Sequence, residues 1–151
     1  MPAYHTLTRV QRLSRPPSEV FEFFSQAENL EQITPPSLRF RIASPAPIEM
    51  RAGALIEYRL KLRGLPIMWL TRIEDFDAPR RFVDVQLAGP YKLWHHTHEF
   101  EPDGEAGTLM RDTVRYALPA WPLSAPVQRL AVQPELERIF DYRAAQIGRR
   151  F

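Results

Sequence analysis

Two histidines two residues apart, His96 and His98, are the side chains of this chain whose types and spacing best suit chemistry. Neighbouring residues of a strand point to opposite faces, so this spacing places both imidazoles on one face. Asp112 falls at the same period in the next apolar run. Imidazole titrates near neutral pH, and a carboxylate can orient it for general acid–base catalysis. If the protein is an enzyme, we therefore predict that its catalytic residues are His96, His98 and Asp112.

The same residues allow two other interpretations. Two histidines at i and i+2 can hold one metal ion from a single strand, with Asp84 or Asp112 as a third ligand. The chain offers no second histidine block to complete such a site, so we predict neither a metal nor a cofactor. Buried polar groups cost free energy unless they are paired, so the cluster could also be a network that only stabilises the sheet. The members of that network would be His96, His98, Asp84, Gln86 and Asp112.

The composition is that of an ordinary globular protein. A chain of 151 residues can bury a real core, and we predict a single domain over residues 1–151. The absence of cysteine excludes disulfides and thiolate chemistry. A net charge of +2 without a dense Lys/Arg block argues against a nucleic-acid partner. No apolar run is long enough to span a membrane and no export signal is evident, so we expect a cytoplasmic location.

The elements that position these residues can be predicted from hydrophobic periodicity and from the 15 prolines, which interrupt helices and strands. A first strand is predicted from Tyr4 to Leu13, followed by two short helices bounded by proline pairs. The period then changes to two, which indicates six further strands. A helical period returns after Trp121, with a kink or a new start expected near residue 133 because of Pro134. The six strands are predicted at residues 38–42, 56–62, 67–76, 81–87, 91–101 and 108–118.

This order of elements predicts an α+β architecture, with an antiparallel sheet of seven strands and helices on one of its faces. A long amphipathic helix laid across a curved sheet can leave a cavity between them. The apolar stripe that should face the sheet consists of Val127, Leu130, Leu136, Ile139, Phe140, Ala144 and Ile147.

A set of short motifs runs along nearly the whole chain. It consists of Val20-Phe21-Glu22-Phe23-Phe24, Asn29-Leu30, Ile33-Thr34-Pro35-Pro36, Trp69-x-Thr71-x-Ile73, residues 82–86, Gly89-Pro90, Trp94-x-His96-x-His98-x-Phe100, Asp112-x-Val114-x-Tyr116 and residues 139–143. With these motifs the chain resembles the START / Bet v 1-like helix-grip superfamily, also called SRPBCC or polyketide cyclase/dehydrase-like proteins. The resemblance implies a seven-stranded curved sheet that grips the last helix around a pocket for an apolar molecule. Members include lipid carriers, quinone-binding proteins, hormone receptors and aromatic polyketide cyclases, so the fold does not fix the function.

The resemblance also guides the assignment of the pocket wall. In residues 82–87, hydrophobicity alone would turn the valines inward, whereas the family pattern turns Phe82, Asp84 and Gln86 inward, and we follow the family. Arg143 lies on the helical stripe that faces the sheet, so we expect it to pair with an inward acid or to meet an anionic ligand group. The predicted ligand-binding residues are Tyr58, Trp69, Phe82, Asp84, Gln86, Trp94, Phe100, Tyr116, Phe140 and Arg143.

The function expected from these observations is binding or carriage of a small hydrophobic or aromatic molecule, such as a lipid, a quinone or a polyketide-like compound. One alternative is a cyclase, dehydratase or isomerase that uses His96 or His98 as general base. Another is a regulator that acts through protein contacts. Arginines on the outer sheet face leave transient membrane contact open. Trp121, between two prolines, is a candidate for the mouth of the pocket, and the sequence does not predict the oligomeric state.

Overall fold

The computed structural model describes residues 4–151, and its seven strands form one antiparallel sheet in the order β1-β7-β6-β5-β4-β3-β2. The sheet is wound so that the first strand in sequence pairs with the last one. The strands are β1 (His5–Leu13), β2 (Arg41–Ile42), β3 (Leu55–Leu62), β4 (Leu65–Asp77), β5 (Arg81–Ala88), β6 (Leu93–Asp103) and β7 (Gly107–Ala117).

The helices are placed where the prolines of the sequence allow them to begin. The first of them, α1 (Pro17–Phe24), has a proline in its first turn, where the missing N–H costs no hydrogen bond. Two 3₁₀ helices follow at Ala27–Ile33 and Pro36–Leu38. The C-terminal helix consists of α2 (Ala125–Val127), a π-helical segment (Gln128–Val132) and α3 (Gln133–Arg150).

The predicted α+β helix-grip architecture is confirmed, with one strand much shorter than predicted. The strand predicted at residues 38–42 is reduced to the two residues of β2, because Pro36–Leu38 continues the helical path and Arg39 ends it in a left-handed conformation with φ of 46°. The change of helix geometry expected at residue 133 is present, since the π-helical segment ends there and Pro134 lies in the first turn of α3.

The π-helical segment also changes which residues face the sheet. Val127 and Leu130, predicted on the buried stripe, are 53% and 73% exposed, and Gln128 is buried in their place. A π-helix has wider turns than an α-helix, so the phase of the stripe shifts between α2 and α3. The prediction for Val127 and Leu130 was therefore wrong. Within α3 the buried residues are Leu136, Phe140, Arg143 and Ile147.

Strict alternation in β6 and β7 builds the face on which α3 lies. Every inward residue of β6 from Trp94 to Phe100 is buried, and so is every inward residue of β7 from Met110 to Tyr116. The antiparallel register pairs these residues across the two strands, and in particular it sets His98 opposite Asp112. The predicted shared face of the aromatic, imidazole and carboxylate side chains is thus confirmed.

The apolar core is divided into three clusters around the middle of the sheet. One cluster joins α1 to the sheet through edge-to-face phenylalanine contacts, such as Phe21 against Phe100 with ring centroids 5.3 Å apart. A second is built around Trp94 and the first half of α3, and a third around Ile56 and Tyr58 on β3. The space between the clusters is where the polar residues of β5, β6 and β7 lie.

Candidate functional site

A cavity of about 190 Å³ lies between the sheet and α3. Most of its wall is aliphatic or aromatic, and its charged and imidazole side chains come from β5, β6 and α3. The cavity is lined by Leu30, Ile33, Thr34, Leu38, Phe40, Tyr58, Leu60, Leu62, Ile67, Trp69, Thr71, Asp84, Pro90, Tyr91, Trp94, His96, His98, Leu136, Ile139, Phe140 and Arg143.

The two imidazoles of β6 are held in fixed planes by stacking. The rings of His96 and His98 have centroids 3.6 Å apart and an interplanar angle of 27°. On its other side, His98 stacks on Phe82 with centroids 3.9 Å apart. Their spacing on one strand places them on one face, and the aromatic ring from β5 then fixes the orientation of the pair.

Two carboxylates hold these imidazoles from opposite sides. Asp112 Oδ1 lies 2.8 Å from His96 Nε2 and 3.3 Å from His98 Nδ1. Asp84 Oδ2 lies 2.6 Å from His98 Nε2 and 3.8 Å from His96 Nδ1. Each histidine therefore has one ring nitrogen toward Asp112 and the other toward Asp84.

Arg143 of α3 joins the cluster from the helix side. Its Nη2 donates to Asp112 Oδ1 at 3.3 Å and lies at the same distance from His98 Nδ1. The guanidinium also lies 5.2 Å from the ring centroid of Phe24, a cation–π distance. Its Nε is buried without a hydrogen-bond partner among residues 4–151. The expected pairing of Arg143 with an inward acid is thus present, and Asp112 is the acid.

Burial and hydrogen bonding shift the pKa values of the cluster in opposite directions. Burial lowers the pKa of His96 to about 4, helped by the neighbouring charge of His98, so His96 is neutral at pH 7. Burial alone would lower the pKa of His98 too, but hydrogen bonds to Asp112 and Asp84 outweigh it, and the pKa is raised. Burial would raise the pKa of Asp112, yet the charge of Arg143 and the imidazole hydrogen bonds hold it well below its usual range.

Tyr58 brings a second kind of polar group to the cavity wall. Burial, with a smaller contribution from the negative charge of Asp84, raises the pKa of its hydroxyl. The phenol therefore keeps its proton at neutral pH and can donate a hydrogen bond. It lies on β3, opposite Trp69 of β4 in the sheet register.

Most of the predicted ligand-binding residues are brought together around this one cavity. β5 faces as the family pattern implied, with Phe82 packed on His98 and Asp84 in the cavity wall. Both predicted catalytic histidines line the cavity, whereas Asp112 lies behind them. The predicted ligand-binding residues that line it are Tyr58, Trp69, Asp84, Trp94, Phe140 and Arg143.

Four of the predicted ligand-binding residues lie outside the lining. Phe82 and Phe100 belong to the phenylalanine cluster that packs against α1, and they fill the core there. Gln86 binds the backbone of Tyr91 instead, and Tyr116 accepts a hydrogen bond from Gln128 Nε2 at 2.8 Å. These four side chains support the wall from behind rather than form it. Trp121 packs against His5 and does not line the cavity.

Several lining residues were not singled out by their sequence. Tyr91 packs against Trp69 and Trp94, with ring centroids 5.6 and 4.9 Å away, and completes an aromatic corner of the cavity. Thr71 is buried beside the polar cluster. Leu136 and Ile139 are contributed by α3. The period-two pattern places Thr71 inward and the helical pattern places Leu136 and Ile139 inward, but neither pattern distinguishes a cavity wall from a filled core. Tyr91 precedes β6 and is out of phase with its inward residues, so the pattern does not predict its position.

The solvated outer face of the sheet carries the arginines that the sequence placed there. The arginines of the outer face near β2 and β3, including Arg39, Arg41 and Arg59, are exposed.

Among residues 4–151, none of the helices combines the length and the apolarity needed to cross a bilayer.

Comparison with solved structures shows the same fold over almost the entire chain. The aromatase/cyclase Zhui from Streptomyces sp. R1128 superimposes with a TM-score of 0.76 at 14% identity, covering 96% of this chain and 92% of that one. A START superfamily protein from Mycobacterium smegmatis gives 0.70 at 12% identity, with 97% and 99% covered. The protein TTHA0849 from Thermus thermophilus gives 0.68 at 20% identity, with 97% and 96% covered.

Comparison with curated protein sequences finds no match. The sequence profile of one family, described as "Polyketide cyclase / dehydrase and lipid transport", does match, and it spans residues 13–139. This range extends from the end of β1 into α3 and contains every strand that lines the cavity. The chain therefore belongs to the polyketide cyclase/dehydrase and lipid transport family.

Proposed function

We propose that this protein binds a small aromatic molecule in the cavity between its sheet and α3. The observation that carries the proposal is an apolar cavity whose charged and imidazole groups gather in one cluster. Apolar surface supplies affinity when it leaves water, and a few placed polar groups supply orientation. The family to which the chain belongs supports a ligand-binding or cyclase-type function, and the geometry favours the first.

The volume of the cavity limits the size of the ligand. A cavity of about 150 Å³ is enough for benzene, whereas sites for drug-sized ligands occupy roughly 300 to 1,000 Å³. The 190 Å³ of this cavity therefore suits a ligand with one ring or a compact pair of rings. A long acyl chain or an extended polyketide would reach beyond this volume. Within the classes expected from the sequence, the smallest aromatic compounds fit best.

The affinity expected from such a ligand is moderate. Removing about 200 Å² of apolar surface from water contributes roughly 5 kcal/mol at about 25 cal/mol per Å². Before the cost of lost translational and rotational freedom is subtracted, this figure corresponds to a dissociation constant of a few hundred micromolar. One or two hydrogen bonds to the polar cluster, each worth about 1 kcal/mol, would bring it to the tens of micromolar.

The polar cluster can orient a ligand that carries an oxygen atom. The hydroxyl of Tyr58 and the guanidinium of Arg143 are donors at the cavity wall, and Arg143 Nε is without a partner in the described chain. A carbonyl or hydroxyl oxygen directed toward these groups would accept from them. The ring would then lie in the aromatic corner formed by Trp69, Tyr91 and Trp94.

Catalysis by a histidine base receives less support from the same geometry. A general base works best when its pKa lies near the working pH. The pKa of His96 is lowered to about 4, which makes this imidazole a weak base, and both ring nitrogens of His98 are turned toward carboxylates. Binding is therefore the function that the site supports best.

Tryptophan fluorescence tests the proposal, because two of the three tryptophans line the cavity. We expect nitrobenzene, a one-ring quencher, to quench the emission of the wild-type chain saturably. Trp121→Phe should keep this response, since Trp121 lies outside the cavity. Trp94→Phe should lose a large part of the saturable amplitude. Quenching that rises linearly without saturation, or that disappears with Trp121→Phe, would contradict the proposal.

A further inference from the structure

We infer that Asp84, His96 and His98 form a binding site for one divalent transition-metal ion, in the class of Zn²⁺, at the polar end of the cavity. Asp84 Oδ2, one ring nitrogen of His96 and one of His98 all lie within 4.8 Å of one another. The sequence alone disfavoured a metal, because the chain offers no second histidine block to complete a site and the pairing of the strands was not known. The pairing of β5 with β6 selects Asp84 as the third ligand by setting it opposite His96.

The ligand set matches the chemistry of a transition metal. Two imidazoles and one carboxylate on the same side of an ion are a common donor set for Zn²⁺ and Fe²⁺, with positions left for water or substrate. The open positions here would face the cavity that the same three residues line. Such a site would hold a ligand oxygen by direct coordination, beside the aromatic corner.

The second nitrogen of each imidazole is already oriented as a metal site requires. Metal-bound histidines usually donate their other ring N–H to a carboxylate or a carbonyl. Asp112 Oδ1 lies 2.8 Å from His96 Nε2 and 3.3 Å from His98 Nδ1, so one carboxylate can accept from both rings. Metal binding would place the ring protons on His96 Nε2 and His98 Nδ1, toward Asp112, and the lone pairs of His96 Nδ1 and His98 Nε2 toward Asp84. In that tautomer Arg143 Nη2 donates to Asp112 and no longer to His98 Nδ1. Arg143 fixes Asp112 from behind.

The charges of the cluster leave room for a cation. Asp84 and Asp112 are two carboxylates, and among the described residues the guanidinium of Arg143 contacts Asp112. The contacts of Asp84 are with the two imidazoles, so a divalent ion between them would pair with the carboxylate that has no guanidinium partner within residues 4–151. It takes the place of the hydrogen bond that now joins Asp84 Oδ2 to His98 Nε2 at 2.6 Å.

Binding of the ion requires the side chains to rearrange. A tetrahedral ion about 2.1 Å from each ligand atom needs ligand atoms about 3.4 Å apart. The distances from Asp84 Oδ2 are 2.6 Å to His98 Nε2 and 3.8 Å to His96 Nδ1. The Asp84 side chain must rotate to meet this spacing, and the two stacked rings must tilt apart so that the lone pairs of His96 Nδ1 and His98 Nε2 converge on the ion.

Titration of the untagged, metal-stripped chain with Zn²⁺ by calorimetry tests the inference. We expect one equivalent of Zn²⁺ to bind with a micromolar or lower dissociation constant. Asp84→Asn and His96→Gln should each weaken binding at least tenfold. The matched control is His95→Gln, which changes the neighbouring histidine on the opposite face of β6 and should leave Zn²⁺ binding unchanged. Binding weaker than millimolar, or insensitive to the first two variants, would overturn the inference.

A measurement on the wild-type chain keeps the test valid if a variant fails to fold. Long-range ¹H–¹⁵N NMR spectra resolve the ring nitrogens of all four histidines. Added Zn²⁺ should shift His96 Nδ1 and His98 Nε2 and leave the rings of His5 and His95 in place. Shifts confined to His5 or His95 would mean that the ion binds elsewhere and would refute the site. Because neither experiment uses an aromatic ligand, failure here is distinguishable from failure of the proposed function.

Discussion

Arg143 Nη2 and Asp112 Oδ1 lie 3.3 Å apart across the interface between α3 and β7, and both side chains are at most 10% exposed. A charge pair so far from water is costly to separate, because each ion loses its hydration and keeps only its partner. The pair therefore ties the helix to the sheet at one place along the apolar stripe. The carboxylate of Asp112 also orients the two imidazoles, because it lies within 3.3 Å of one ring nitrogen of each.

Asp112→Asn should destabilise the protein by roughly 3 to 5 kcal/mol, because it leaves the guanidinium of Arg143 buried without a counter-charge. Adding Arg143→Met to this variant removes the buried positive charge that has lost its partner. The free energy of unfolding of the double variant should therefore fall by less than the sum of the two single variants, by about 1 kcal/mol or more. Urea denaturation in the presence of a chelator measures all three. Strictly additive losses would show that the pair does not interact.

Phe100→Ala should lower the free energy of unfolding by about 3 to 5 kcal/mol, because Phe100 is 1% exposed in the phenylalanine cluster. It should leave the size preference for ligands unchanged. Phe140→Ala, by contrast, removes part of the cavity wall and should improve binding of 1-nitronaphthalene relative to nitrobenzene. Urea unfolding and fluorescence quenching measure the two effects. The same change of size preference in both variants would contradict the assignment of Phe100 to the core.

Gly89→Ala should disturb the cavity wall through Gln86. A Cβ at position 89 would lie 2.6 Å from Gln86 Oε1, so the glutamine must move. Gln86 now accepts from Tyr91 N at 3.0 Å and donates to Tyr91 O at 2.7 Å, and both bonds would be lost. We expect a loss of about 1 to 2 kcal/mol in stability and weaker nitrobenzene binding.

The control for this prediction is Gln86→Ala, which removes the same two hydrogen bonds without a clash. Gly89→Ala should cost less in the Gln86→Ala background than in the wild-type chain, because the displaced side chain is then absent. The cost that remains is the backbone strain of an alanine at φ of 156°. Full additivity of the two changes in thermal unfolding would show that Gly89 acts through another contact.

Ile139→Trp should fill the cavity from the helix side and weaken nitrobenzene binding at least tenfold. Ile139 lines the cavity and is half-buried, so a larger side chain can occupy the volume while its edge remains near the surface. Leu130→Trp is the matched control, since Leu130 is exposed in the π-helical segment that precedes α3. Binding should be unchanged in the control. Undiminished binding to Ile139→Trp would place the ligand outside this cavity.

Local pattern was enough to predict much of the fold. The alternation in residues 94–100 and 110–116 is strict, because burial of one sheet face selects apolar or paired side chains at every second position. The pattern failed where the backbone left the standard period. Val127 and Leu130 are exposed because the π-helical segment before α3 shifts the phase of the helix. The residue types of that segment do not predict its wider turn.

In β6, β7 and α3 the sequence by itself determined which side chains face inward, because the period of a regular strand or helix is a local property. Only the tertiary structure decided which inward residues meet. Asp84 and His98 are 14 positions apart, and Arg143 is 45 positions beyond His98, so their contacts depend on strand register and on where α3 crosses the sheet. The same packing decided that Tyr58 and Trp94 border empty space whereas Phe82 and Phe100 fill a core. A cavity is a property of the volume left between elements, and no single element encodes it.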